Sequence, residues 1–191
     1  MRQSPFTAVY DACVLYPAPL RDFLMWLGLS GRFRARWSAQ IHEEWKRNLL
    51  INRPDLRPEQ VDRTSALMDQ AIPDALVSEY EALIAGLRLP DPDDRHVLAA
   101  AIRCSASVIV TFNEKDFPPA ALAPFGIEAQ HPDLFIDRLF DLDAAAVVSA
   151  AQKQRAQLKS PPLDVDRYLD ALLRQGLVQT VKTLSTYRAI L

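Results

Sequence analysis

At 191 residues, 49% of them hydrophobic and 24% charged, the chain has the size and composition of one globular domain with room for an extension, which argues against disorder. Cys13 and Cys104 lie far apart with no C-x-x-C, no basic start leads into an apolar segment, and no run nears the roughly 18 apolar residues of a membrane helix, so a reducing, cytoplasmic setting without membrane attachment is expected. The formal net charge of −2 is uneven, at net +4 over residues 32–57, −9 over 62–143 and +4 over 150–191, which reads either as solvated helix faces or as a metal site fringed by phosphate contacts.

TAVYDACVLY, residues 7–16, is apolar around a single acid and predicts a short buried strand that ends or is interrupted near Asp11. Pro17 opens LRDFLMWLGLSG, helical by the spacing of Leu20, Phe23, Leu24 and Leu27 and stopped by Gly28 or Gly31. Ser38 can cap SAQIHEEWKRNLL, where Ile41, Trp45 and Leu49 recur every four residues. Pro58 suits the first turn of PEQVDRTSALMDQA, Asp74 can cap a helix DALVSEYEALIAGL, and DPDDRHVLAAAIRC follows as a third consecutive helix.

SVIVTF, wholly apolar and β-branched, predicts an interior strand of a parallel sheet. A loop and broken helix then lead to a further strand at GIEA and a helix HPDLFIDRLFDL. Strands separated by helices imply a layered α/β domain over residues 1–142. From Asp143 only helices are expected, forming a C-terminal extension over 143–191.

Parallel sheets collect their ligand sites at the carboxyl ends of strands, which makes Asp11 a candidate, since a carboxylate in an apolar strand needs a partner or a metal. Stepping about 100° per residue along the Ser38 helix sends Glu43 to water and sets Glu44 at the edge of the Ile41–Trp45–Leu49 stripe. In LPDPDDRHVLAAAI, Asp91 and Pro92 start the helix and Asp93 adds a favourable charge to its first turn. The same stepping puts Asp94 on the side of Val97, Leu98, Ala101 and Ile102, with His96 and Arg103 facing solvent.

SVIVTF delivers Thr111, Asn113 and Asp116 to that same edge. Asp11, Glu44, Asp94 and Asp116 would repel one another unless a cation joined them, and hard Mg²⁺ or Mn²⁺ suits oxygen donors. Such sites hydrolyse phosphodiesters with metal-activated water and need no protein nucleophile. His42, His96 and His131 lack zinc spacing, there is no phosphate-binding glycine loop, and Cys13 reads as packing rather than as a nucleophile.

In order, VYDACVLY, WSAQIHEEWKRNL, LPDPDDRHVLAAAI and VIVTFNEKDF resemble a PIN domain over roughly residues 7–135, closest to VapC-like toxins. The resemblance implies a three-layer α/β sandwich with a mostly parallel sheet and a Mg²⁺- or Mn²⁺-dependent endoribonuclease. RNA would be the substrate, an antitoxin protein the partner, and a homodimer the assembly. It places the family's acids on Asp11, Glu44 and Asp94. It departs at Asn113, where many members carry T-x-D, and there Asp116 can supply the acid and Asn113 a metal oxygen or water anchor. Two other readings are a catalytically weak module that binds RNA or protein, and a phosphatase of small esters. The tail could cover the sheet edge, bind an antitoxin or meet RNA through Lys153, Arg155 and Lys159. Packing with oligomerisation is preferred, because Tyr168, Leu169, Leu172 and Leu173 share a helical face that needs an apolar partner.

Overall fold

Strands with no polar face must be covered on both sides, and this decides the centre of the molecule. In a computed structural model describing residues 6–191, Thr7–Tyr10 (β1) and Val108–Val110 (β4) lie side by side at the middle of a five-stranded sheet. Residues 1–5, on which part of the expectation about the chain start falls, lie outside the described residues. Arg34–Ser38 (β2) pairs with the other edge of β1, Leu76–Val77 (β3) extends the sheet beyond β2, and Glu128–Gln130 (β5) extends it beyond β4. Every pairing is parallel and the order is β3-β2-β1-β4-β5.

Parallel neighbours require crossovers, and helices provide them. Ala12–Leu15 (α1) and Ala18–Gly28 (α2) join β1 to β2, while Ala39–Asn52 (α3) and Pro58–Ala71 (α4) join β2 to β3. Glu81–Ile84 (α5) and Arg95–Arg103 (α6) return the chain across the sheet to β4, and Pro119–Leu122 (α7) leads to β5. The chain therefore reverses its lateral direction between β1 and β4, and the carboxyl ends of these two strands open at a topological switch point.

One face of the sheet presents Tyr10, whose hydroxyl donates to the Leu24 carbonyl of α2 and whose ring meets Phe135 edge-on. Phe135 lies in Pro132–Gln157 (α8), which packs on α2. Against β1, β2 and β4 lies α6, whose Val97 to Ala101 are all buried. The result is the expected helix–sheet–helix sandwich.

Two elements differ from the sequence expectation. RARWS is a strand, burying Ala35 and Trp37 while Arg34 stays exposed, and its alternation was hidden by its arginines. The helix expected from Asp74 is instead β3 followed by the four-residue α5, because Trp37 and Ser38 leave an open edge that Leu76 and Val77 pair with and Ala75 extends by accepting from Trp37 N at 3.0 Å. At Asp143, where the sequence reading begins a new helix, α8 is kinked: Asp143 alone inside it takes non-helical angles (φ −161°, ψ 88°) and caps the following turns by accepting from Ala146 N.

Val165–Leu173 (α9) and Val178–Ser185 (α10) complete the tail and fold back on α2 and α8. The apolar partner demanded by Tyr168, Leu169 and Leu172 is thus within the chain, while Leu173 stays exposed. Arg155 is not free for RNA, since its guanidinium donates to the carbonyls of Leu163 and Leu191. No helix among the described residues is long and apolar enough to cross a membrane.

Candidate active site

Asp11 follows β1 directly and prolongs its pairing, its N–H donating to the Val110 carbonyl at 3.1 Å. The chain then turns into α1, whose first N–H, that of Ala12, donates to Asp11 Oδ1 at 2.7 Å. On the other oxygen, Thr111 Oγ1 donates at 2.7 Å and the Cys13 thiol at 3.1 Å. With 2% of its surface exposed, Asp11 is pushed above the ordinary aspartate value by burial. The hydrogen bonds from Thr111 and Cys13 pull it back, and the charge of Glu44 pushes with burial. Burial raises the Cys13 thiol far from thiolate chemistry, as its packing role requires.

Thr111 is itself locked, its N–H on the Gln130 carbonyl and its hydroxyl accepting from Asn113 N. The chain leaves it through Asn113 into a single 3-10 turn, Glu114–Asp116, where the Asp116 N–H donates to the Asn113 carbonyl. Asn113 is exposed and Asp116 half-buried, and both face one cavity.

The third contribution comes from α3, where the Ser38 hydroxyl accepts from Ile41 N as the sequence predicts. Glu43 points outward and pairs with Lys46, whereas Glu44 is half-buried, with Oε2 at 3.2 Å from His96 Nε2. The fourth comes from PDPDD. Asp91 accepts from Asp93 N and opens a 3-10 turn, Pro92–Asp94, that runs straight into α6. Asp94 is half-buried there and its carboxyl is pushed up to about 7, first by burial and then by the charges of Asp11, Asp91, Glu44 and Asp116.

The expectation that His96 faces solvent is corrected: only 4% of its surface is exposed. The face opposite Val97 and Leu98 carries His96, Ala99 and Ala100, and all three are buried, because α6 is covered on both sides. Alanines where a solvent face should carry charge were the signal for this. Sequence reasoning also missed Gln40 and Arg47, which share a face of α3 with Glu44 by the i, i+4, i+7 rule.

These groups line a strongly polar cavity of about 430 Å³ that holds Glu44, Asp94, Asn113 and Asp116 together with Asp91, Asp93, His96, Gln40, Glu43 and Arg47. Asp11 is not in its lining and acts on it through its charge, which couples to Glu44 and Asp94. A second cavity of about 500 Å³, between the α1–α2 turn, α3 and α4, is mainly apolar and contains none of the predicted acids. Of the basic residues singled out over 32–57, only Arg47 reaches the acidic cavity, while Lys46, Arg53 and Arg32 pair with Asp62, Asp55 and Asp143.

Among the described residues no group of three or more His, Cys, Asp or Glu side chains is placed so that it could hold a metal ion as it stands. The donor chemistry nonetheless suits a hard divalent cation: the predicted donors are all oxygens, and the carboxylates destabilise one another's charge on Asp94.

A family model described as "PIN domain" matches residues 7–115, and one described as "VapC50 C-terminal domain" matches residues 132–186. A Mycobacterium tuberculosis protein named "Putative ribonuclease VapC50" is 45% identical over 96 residues, which cover 50% of this chain and 56% of that protein. The match thus spans a little over half of the relative's length. No solved structure matches the chain.

Proposed function

Because the chain belongs to the PIN-domain family, we propose that it is a Mg²⁺- or Mn²⁺-dependent endoribonuclease, the toxin of a toxin–antitoxin pair, with RNA as substrate and a cognate antitoxin protein as partner. The observation that carries this reading is one polar cavity that Glu44, Asp94, Asn113 and Asp116 line together, with Asp94 coupled to the charge of Asp11. The extension over residues 143–191 is read as a buttress of α2 rather than a second catalytic unit.

In this reading Glu44, Asp94, Asp116 and Asn113 are the groups that would hold the cation, and Asp11 adds its charge to theirs. A bound divalent ion would make water a better nucleophile by lowering its pKa and would offset the charge that develops on the leaving oxygen. Thr111 and Ala12 keep the Asp11 carboxylate in one orientation, and the α6 start holds Asp94 at the cavity rim. Arg47, the cation that lines the acidic cavity, would meet an RNA phosphate. Neither Cys13 nor a histidine is needed as a nucleophile.

Cleavage of end-labelled single-stranded RNA tests the proposal. Activity should require Mg²⁺ or Mn²⁺, stop in excess EDTA, and be lost in Asp11→Asn and Asp94→Asn chains that still fold. Undiminished cleavage in either variant or in EDTA rejects it. Asn113, uncharged where many relatives carry an acid, favours one second reading: a PIN-like module that binds RNA or protein without turnover. RNA binding with no metal-dependent cleavage at any Mn²⁺ concentration would select that reading.

A further inference from the structure

His96 lines the acidic cavity without being an oxygen donor, and nothing in the proposed chemistry uses it. Its Nε2 lies 3.2 Å from Glu44 Oε2, while its Nδ1 is buried and has no partner among the described residues. An ionised carboxylate only accepts, so the ring nitrogen facing it carries the proton. The ring therefore has its Nε2–H to give, and Glu44 Oε2 takes it.

We infer that His96 is a positioning residue for Glu44: its Nε2–H holds Oε2 and leaves Oε1 as the oxygen free to meet a cation. The inference rests on the metal-dependent reading above. Glu44 is long, half-exposed and would otherwise turn among several rotamers. His96 is rigid by contrast, set in the first turn of α6 among Val97, Ala99 and Ala100, all with no exposed surface. A ring kept only to fill space would gain nothing from a buried unpartnered nitrogen, and leucine would serve better.

Calorimetric Mn²⁺ titration of the full chain and of His96→Leu and His96→Gln, with urea unfolding of each metal-free chain, separates positioning from packing. His96→Leu should weaken Mn²⁺ binding by about tenfold without lowering the unfolding midpoint, and His96→Gln, whose amide N–H can reach Oε2, should recover most of the affinity. Nitrogen NMR of the metal-free chain should show a proton on His96 Nε2, an observation that does not depend on any variant folding. Equal Mn²⁺ affinity in His96→Leu, no recovery in His96→Gln, or a proton on Nδ1 alone overturns the role. Affinity that falls in Asp94→Asn but not in His96→Leu overturns positioning and leaves the metal reading standing. A chain that binds no Mn²⁺ removes both.

Discussion

At the scale of single residues, the acids near the switch point divide into those held and those free. Asp11 is engaged by Ala12, Thr111 and Cys13, whereas Asp94 has burial and repulsion against it and, among the described residues, no side-chain hydrogen bond. Thr111→Val keeps the shape of a side chain with no exposed surface and deletes its hydroxyl. The change strips Asp11 Oδ2 of its shortest bond and Asn113 N of its acceptor, at a cost of about 1–3 kcal/mol for the buried groups left unpaired. Urea unfolding should show that loss, together with weaker RNA cleavage; an unchanged midpoint would mean that water replaces the hydroxyl freely. Asp11, Glu44 and Asp94 were legible from strand ends and helix phase, because one period decides which way each side chain points. His96 was not, because a wheel reports one apolar face, and α6 has two.

Between elements, the polar link that sequence could not show joins β2, α3 and α4. Trp45 Nε1–H donates to His42 Nδ1 at 3.0 Å, which leaves the ring proton on Nε2, and this nitrogen meets Asp69 Oδ1 at 2.9 Å. Trp37 Nε1–H donates to the same Asp69 oxygen at 2.7 Å. Burial lowers the His42 pKa below its ordinary value, the Asp69 hydrogen bond opposing, and protonating Nδ1 would set two donors face to face. A depressed folded value means that the unfolded chain binds the proton more readily, so this network's stability is full above about pH 6.5 and is lost as pH falls through the folded pKa. The stability gap between the unaltered chain and His42→Gln should therefore be about 1–3 kcal/mol at neutral pH and shrink in acid. A gap that stays constant down to about pH 5 would show that His42 titrates normally. The short strands β2 and β3 were illegible for a related reason: RARWS and LV have little signal of their own, and pairing, not propensity, makes them strands.

For the whole molecule, the question is whether the tail is a separate body or part of one core. Its helices were legible from their apolar spacing, but their docking surface was not, since an apolar stripe specifies a partner's chemistry and not its place. Two buried polar residues of α8 name that place. Asp133 accepts from Gln179 N and Thr180 N, both at 2.8 Å, and so caps α10 from the first turn of α8, ahead of the tail. Gln154 donates to the Pro19 carbonyl of α2 and accepts from the Tyr168 hydroxyl of α9. Carboxylate bonds of this kind contribute about 1.5–3 kcal/mol, so Asp133→Ala should cost at least about 2 kcal/mol. In a chain of this size that lowers the melting midpoint by about 4 °C or more. Because α2 shares the tail's apolar contacts and also packs on Tyr10 of β1, the loss should spread to the sheet rather than release the tail alone. Near-ultraviolet and far-ultraviolet circular dichroism should therefore fall together in one transition, in the unaltered chain and in Asp133→Ala alike. Two separated transitions, the first confined to helical signal, would show instead that residues 143–191 fold as an independent unit on a finished sheet.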